Sequence, residues 1–250
     1  MKYYANTDIG KKRTSNQDTF CIRKFGERAL LCAVFDGMGG HAGGETASFV
    51  AREVFFEIMS ESLDPKIGSD GSLDLSKTQI FNIMQKAAQN ANTAVFDMAA
   101  RKPELSGMGT TLAAVLVVGD ICYCLNIGDS RIYEIKDGSI TQISRDHSYV
   151  QYLIDLGEIT AEEAKTNLNK SIITRAVGTQ ETVEGDTFVI NTEGATLLLC
   201  SDGLSNLVPD SVMLDIITSN GEPNDAVGAL IKEANEQGGT DNITAILVRV

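Results

Sequence analysis

The sequence predicts a layered fold of the α+β class, built from mainly antiparallel sheets and amphipathic helices. Residues 111–127 and 131–143 each have the pattern of two strands joined by a two-residue turn, and hairpins pair their strands antiparallel. Apolar residues recur at helical spacing in several other stretches. The 250 residues allow one large domain or two small ones, and we expect a single domain over residues 1–250.

The N-terminal part predicts three strands followed by a helix. Residues 3–9 and 19–25 have strand-like composition. Residues 29–35 form a short apolar, partly β-branched run, which is typical of a buried strand. Apolar positions from 47 to 59 then follow the helical period and predict an amphipathic helix.

A loop and a long helix follow. Residues 63–75 are polar and contain a proline and two glycines, so they predict a loop. Ser76 and Gln79 form a capping-box signature that starts the helix, and Lys102-Pro103 marks its end.

The C-terminal part begins with the two hairpins, which turn at Gly119-Asp120 and at the favoured pair Asp137-Gly138. Residues 146–168 are charged and mostly helical, with a second capping box at Thr160 and Glu163, and look like a surface insertion. The remaining strands are predicted at 188–190, 195–200 and 243–250, and the remaining helices at 210–218 and 224–237.

Composition narrows the class of function and the compartment. The net charge is −13, so a nucleic-acid partner is disfavoured, and an acidic protein that handles phosphate needs metal ions or a few placed cations. Five cysteines without a C-x-x-C pair lie in strand-like runs and are interpreted as reduced core residues, which fits the cytoplasm. No signal-peptide pattern and no spanning apolar run is present, so we expect no membrane association.

Aspartates at the edges of strand-like runs are the candidate functional residues. The run at 29–35 stops at Asp36, beside a glycine cluster that would let backbone approach a ligand. Asp-Gly pairs are also common turns, but the pattern repeats at the edges of other runs. The complete carboxylate set is Asp18, Asp36, Asp129, Asp202 and Asp241.

Oxygen-only ligands suit Mg²⁺ or Mn²⁺, and calcium remains open although no EF-hand loop is present. Zinc is disfavoured because the only histidines are His41 and His147. Two such ions about 3.5–4 Å apart can share a hydroxide and hold a phosphoryl group for in-line displacement. Arg13 could grip the phosphate oxygens, although a single arginine is more often a solvated surface residue.

The glycine cluster also allows a rival interpretation. Residues 37–42 fit G-x-G-x-x-A between a strand and a helix, the pattern of a dinucleotide site. The acidic residue that should end a second parallel strand about 20 residues later is missing, and the hairpins disagree with such a fold. No P-loop and no G-x-S-x-G motif is present.

Eight short motifs resemble one family in their order. They are Arg13-x-x-Asn16-Gln17-Asp18, Asp36-Gly37-Met38-Gly39-Gly40-His41, Gly109-Thr110-Thr111, Gly128-Asp129-Ser130-Arg131, Arg145-Asp146-His147, Ile173-Thr174-Arg175-Ala176-Val177-Gly178, Ser201-Asp202-Gly203 and Gly239-Thr240-Asp241-Asn242. Together they resemble the bacterial metal-dependent protein serine/threonine phosphatases, the PPM or type 2C family. Each motif is weak alone, but eight in order over nearly the whole chain are specific.

The resemblance implies a four-layer α-β-β-α sandwich with two central, mainly antiparallel sheets. It also implies a set of Mn²⁺ or Mg²⁺ ligands. Asp36 would bridge two ions, Asp202 and Asp241 would complete the first site, and Asp18 with the Gly37 carbonyl would serve the second. Asp129, together with Asp202, matches a third, weaker site.

The resemblance further implies hydrolysis of phosphoserine and phosphothreonine in proteins. A hydroxide bridging the two ions would attack phosphorus directly, and Arg13 would bind the phosphate. Residues 147–175 match a mobile flap. We expect a monomer whose partners are phosphorylated proteins and a cognate serine/threonine kinase.

One residue departs from the pattern of some family members. They carry a histidine directly after the Asp-Gly pair as the proposed general acid, whereas this chain has Met38 there. His41 is a candidate for that role, and packing at the helix start is an equally good interpretation. Two other hypotheses remain: a binding module with an inactive site, disfavoured by the intact carboxylates and Arg13, and a phosphatase of small phosphate esters.

Overall fold

Two antiparallel sheets form the centre of the molecule in the computed structural model, which describes residues 1–40, 43–68 and 72–250. In chain order the strands are β1 (Lys2–Asp8), β2 (Asp18–Phe25), β3 (Ala29–Met38), β4 (Gly109–Thr110), β5 (Leu112–Val118), β6 (Ile121–Ile127), β7 (Arg131–Lys136), β8 (Ser139–Gln142), β9 (Asp186–Asn191), β10 (Thr196–Cys200) and β11 (Ile243–Arg249). The helices are α1 (Gly43–Leu63), α2 (Lys77–Arg101), α3 (Tyr149–Asp155), α4 (Ala161–Thr166), α5 (Asp202–Ser205), α6 (Asp210–Ser219) and α7 (Pro223–Glu236).

The two sheets pack face to face with helices on both outer sides. The first sheet has the order β1-β11-β10-β7-β8, and the second has β2-β3-β5-β6-β9 with β4 beside β3. Helices α1 and α2 cover the second sheet, while α6 and α7 cover the first. The predicted four-layer α-β-β-α arrangement is therefore confirmed.

Strand β3 is apolar from Ala29 to Phe35 because both of its faces are buried there. Leu30, Cys32 and Val34 point into the core between the sheets. Leu31 and Phe35 point toward α1 and α2. Burial on both faces explains why the run lacks the alternation of a half-exposed strand.

The predicted end of the third strand is wrong. The strand does not stop at Phe35 but continues through Asp36 to Met38, because the short strand β4 pairs with Gly37 and Met38. Asp36 is therefore half-buried inside a paired strand, where it was expected to meet solvent at a strand end.

Both predicted hairpins are present, but they belong to different sheets. The β5–β6 hairpin lies in the second sheet and the β7–β8 hairpin in the first. The chain crosses from one sheet to the other between Ile127 and Arg131. Asp129 lies in this crossover, at the edge where the two sheets meet.

The local signals for the helices are confirmed in part. The capping boxes at Ser76 and Thr160 both form and start α2 and α4. The segment 146–168, predicted to be mostly helical, contains two short helices, α3 and α4. The predicted loop 63–75 contains a 3-10 turn over Asp64–Lys66, and its residues 69–71 lie outside the described residues.

The cysteines are as predicted, since all five are free and buried. In the described parts of the chain, no helix has both the length and the hydropathy needed to cross a membrane.

Candidate active site

Strand register places Asp18 and Asp36 directly opposite each other on β2 and β3. Asp18 is buried, and its Oδ2 accepts hydrogen bonds from Ser201 Oγ and Thr244 Oγ1, both at 2.7 Å. Its Oδ1 is buried and has no hydrogen-bond partner among the described residues. One carboxylate oxygen of Asp18 is thus held rigidly while the other is left free to bind something else.

The backbone around Asp36 is fixed by two threonines. Its N–H donates to Thr111 Oγ1 at 2.9 Å, and its carbonyl accepts from Thr111 N–H and from Thr110 Oγ1, each at 2.9 Å. Burial, together with the nearby carboxylates, of which Asp18 has the largest effect, raises the pKa of Asp36 well above its usual range.

The other three aspartates reach the same place from the first sheet and from the crossover. Asp202 begins α5 directly after β10, and its Oδ2 accepts from Asn206 Nδ2 at 2.9 Å. Asp241 precedes β11, and Asp129 lies in the crossover.

The charges of these aspartates interact. Burial, with repulsion from Asp202 as the next cause, raises the pKa of Asp129 to about 8. Burial raises the pKa values of Asp18 and Asp202 to about 6. Their mutual repulsion shows that the predicted carboxylates form one electrostatic group.

Gly37 lies where three segments come into close contact. A Cβ atom at this position would be 2.1 Å from the carbonyl oxygen of Gly44 in α1 and 2.6 Å from that of Gln17. The Gly37 N–H also donates to the Gln17 carbonyl at 3.1 Å. Only glycine allows β3, the start of α1 and the segment before β2 to approach this closely.

Arg13 lies at the rim of the group. Its guanidinium Nη2 is 2.7 Å from Asp241 Oδ2, and 49% of its side chain is exposed. The hydrogen bond to Asp241 raises the pKa of Arg13, so the side chain is a permanent cation beside the carboxylates.

The segment that carries Arg13 is held by Asn242, a residue to which the sequence assigned no role of its own. Asn242 Oδ1 accepts from Gln17 N–H at 2.8 Å, and its Nδ2 donates to the Ile9 and Ser15 carbonyls at 2.9 and 3.0 Å. The hydroxyls of Ser201, Thr244 and Thr111 were missed in the same way. Ser201 lies beside Asp202, Thr244 lies in β11 and Thr111 lies beside β4. None of these positions indicates, from the sequence alone, which aspartate the hydroxyl contacts.

The proposed proton donor cannot be placed. His41 lies outside the described residues. Met38, which takes the place of the histidine found in some relatives, is half-buried in β3.

The donor set fits an oxygen-preferring divalent cation. Within residues 1–40, 43–68 and 72–250, no three His, Cys, Asp or Glu side chains already have the spacing to hold an ion, and Asp18, Asp202 and Asp241 each accept from a protein donor. The five carboxylates nevertheless outnumber the neighbouring cations Arg13 and Arg131, Asp18 Oδ1 has no hydrogen-bond partner among the described residues, and the pKa of Asp36 is raised strongly. A bound Mn²⁺ or Mg²⁺ would relieve all three costs.

A cleft of about 610 Å³ lies beside two of these carboxylates, Asp129 and Asp202. Asp129 and Asp202 line one end, and residues of α3, α4 and the start of α6 line the rest. Arg131 lies in its wall, where two nitrogens of its guanidinium bind the carboxylate of Asp146 at 2.8–3.1 Å.

Comparison with known families decides the assignment. The family described as Protein phosphatase 2C matches residues 9–235 of this chain. The chain belongs to the protein phosphatase 2C family. The family and the enzyme class predicted from the eight motifs are confirmed.

Relatives of this phosphatase cover it almost completely. The serine/threonine phosphatase stp of Listeria welshimeri is 36% identical over 243 residues, which are 97% of this chain and 93% of that protein. The crystal structure of the serine/threonine phosphatase Stp1 from Staphylococcus aureus aligns with a TM-score of 0.88 at 31% identity, over 99% of this chain and 94% of that one. The catalytic domain of the phosphatase PstP, solved in complex with 2 manganese ions, aligns with a TM-score of 0.81 at 36% identity, over 98% of this chain and 96% of that one.

Proposed function

We propose that this chain is a metal-dependent phosphatase that hydrolyses phosphoserine and phosphothreonine in proteins. The observation that carries the proposal is the group of buried, mutually repelling carboxylates around Asp36, which needs cations to be stable in its charged form. The names of the relatives, which are serine/threonine phosphatases, support the same substrate class.

The proposed cation ligands are the aspartates of this group and one backbone carbonyl. Asp36 would lie between two ions, with Asp202 and Asp241 on the first and Asp18 and the Gly37 carbonyl on the second. Asp129 would join Asp202 at a third, weaker site. The manganese in the PstP complex supports Mn²⁺, and oxygen donors suit Mg²⁺ equally. Such ions supply Lewis acidity and lower the pKa of water, which would allow direct attack on phosphorus without a phosphoenzyme.

The protein's own residues would bind and orient the phosphate. Arg13 offers a planar guanidinium that can hold two phosphate oxygens, and its pair with Asp241 keeps it beside the carboxylates. Met38 cannot donate a proton to the leaving serine or threonine oxygen. His41 is the candidate donor in the same stretch of chain, with water as the alternative.

The cleft beside Asp129 and Asp202 has room for a phosphorylated side chain together with neighbouring parts of a polypeptide. Its volume of about 610 Å³ would also hold a small phosphate ester, so the names of the relatives carry the choice of a protein substrate. Residues 147–175, which supply α3 and α4 to its wall, would act as a flap over the bound segment. The chain would act as a monomeric cytoplasmic counterpart of a serine/threonine kinase.

Phosphate release from a phosphothreonine peptide tests the proposal. We expect no release after treatment with a chelator, recovery on adding Mn²⁺, and a loss of about a thousand-fold in Asp36→Asn. Asp120→Asn, at the exposed β5–β6 turn, is the matched control and should keep full activity. Metal-independent turnover, or full activity of a folded Asp36→Asn variant, would contradict the proposal. A faster reaction on a sugar phosphate than on the peptide would show that the substrate is a small phosphate ester.

A further inference from the structure

His147 makes a two-point contact with Gly128, the residue that precedes Asp129. The N–H of Gly128 donates to Nδ1 of the His147 ring at 3.0 Å, and the Gly128 carbonyl accepts from the His147 backbone N–H at 2.9 Å. His147, which is buried, therefore contacts both polar groups of Gly128, and the carbonyl also accepts from Asn126 Nδ2 at 3.2 Å. Neither His147 nor Gly128 is among the residues that we assign to phosphate or cation binding.

The opposite side of Gly128 is closed by Thr111. Gly128 has a φ of +105°, and a Cβ atom there would be 2.6 Å from Thr111 Cγ2. Thr111 in turn holds the backbone of Asp36. Gly128 is thus fixed between His147 and the support of Asp36, and this fixes the direction in which the chain enters Asp129.

The ring of His147 is set up to accept this hydrogen bond. Burial lowers the pKa of His147 below its usual value, so the ring is neutral near pH 7 and Nδ1 carries a free lone pair. The proton then lies on Nε2, which is 3.1 Å from Asp186 Oδ2 but does not form a well-directed hydrogen bond with any described residue.

The same residue joins the two ends of the segment 147–175. The His147 carbonyl accepts from Thr174 N–H at 2.8 Å, and the next residue, Ser148, forms a bridge with Ile173. His147 therefore links the base of this segment to the crossover that carries Asp129.

We propose that His147 is a positioning residue whose hydrogen bonds fix Gly128 and thereby orient the Asp129 carboxylate. The link to Asp129 as a ligand of a weakly held cation rests on the proposed function. The contact itself, between His147 and Gly128, does not.

Three substitutions separate the two nitrogens of the ring. His147→Asn keeps an acceptor near the position of Nδ1, whereas His147→Gln keeps a polar group near Nε2 and loses that acceptor. Asp186→Asn removes the charge beside Nε2 and leaves Nδ1 untouched.

Hydrogen exchange at the Gly128 amide reports the contact in protein without added metal. We expect protection to fall about tenfold in His147→Gln and to stay near wild type in His147→Asn and Asp186→Asn. Equal protection in both His147 variants, or loss of protection in Asp186→Asn, would overturn the proposed contact whatever the protein catalyses.

Mn²⁺ titration by calorimetry and phosphopeptide turnover test whether His147 orients the Asp129 carboxylate. His147→Gln should weaken the weakest Mn²⁺ binding step and lower kcat about tenfold, with KM for the peptide nearly unchanged, and His147→Asn should restore both. Lost protection with unchanged Mn²⁺ binding and kcat would overturn the positioning role alone. A wild-type protein that neither binds Mn²⁺ nor releases phosphate would contradict the proposed function, while the exchange result would still stand.

Discussion

Two kinds of side chain build the site of this phosphatase: aspartates, and neutral residues that hold those aspartates in place. Asp18 and Asp36 supply carboxyl groups, while Ser201, Thr244 and Thr111 hold those aspartates in place with neutral hydroxyls. The aspartates could be predicted because each is a charged residue beside an apolar run. The hydroxyls could not, because their contacts depend on how strands from two sheets meet.

The arginine at the rim gives a prediction at this scale. Arg13→Ala should lower kcat/KM for a phosphopeptide about a hundred-fold, because the phosphate loses a cationic donor of two hydrogen bonds. Arg13→Lys should recover only part of the loss, since an ammonium group is a point charge without the fork of a guanidinium.

The measurements are initial rates and competitive inhibition by inorganic phosphate, with Arg101→Ala as a control because Arg101 is an exposed residue at the end of α2. If inorganic phosphate inhibits Arg13→Ala as strongly as it inhibits the wild type, Arg13 does not bind phosphate and only pairs with Asp241.

Elements formed by local patterns were predictable, and elements formed by distant contacts were not. The turn at Asp137-Gly138 and the capping boxes act within a few residues, and they form as expected. Strand β4 has two residues and forms through distant partners, since it pairs with β3 on one side and Thr110 bridges to Val177 on the other. The separation of the two hairpins into different sheets likewise depends on the packing of the whole molecule.

The junction at the end of β3 gives a prediction for glycines. Gly37→Ala should lower the thermal midpoint and abolish most activity, because its Cβ would meet backbone oxygens that cannot move alone. Overpacking of this kind costs about 1–3 kcal/mol of unfolding free energy.

Gly40→Ala is the matched control, since a Cβ there meets no described atom within 4 Å. Calorimetry and circular dichroism on both variants make the comparison. A Gly37→Ala variant as stable and active as Gly40→Ala would show that the close approach is not required.

The whole molecule is strongly acidic, with a net charge of −13, and it also buries part of its carboxylate charge. Raised pKa values in the folded state mean that the folded protein holds protons which the unfolded chain releases. Between the ordinary carboxyl pKa of 3.8 and about 8, the folded state therefore binds more protons. Its free energy of unfolding should fall as the pH rises through this window.

Thermal midpoints of protein treated with a chelator, measured at about pH 5 and about pH 8, check this prediction. We expect a lower midpoint at the higher pH and a larger gain from added Mn²⁺ there, because ions bind ionised carboxylates. Asp129→Asn should reduce the difference in thermal midpoint between the two pH values. A midpoint that rises with pH would contradict the assigned shifts.

The pairing of β1 with β11 has a consequence for the life of the nascent protein. Residues 2 to 8 form a sheet with residues 243 to 249, and this pairing brings together Arg13 with Asp241 and Asp18 with Thr244. During synthesis β1 stays without its partner strand until β11 has left the ribosome. Such distant closure favours slow folding. A chain whose residues 243 to 249 have not yet been made therefore lacks the partner of its first strand, and the site is complete only after the two distant strands have joined.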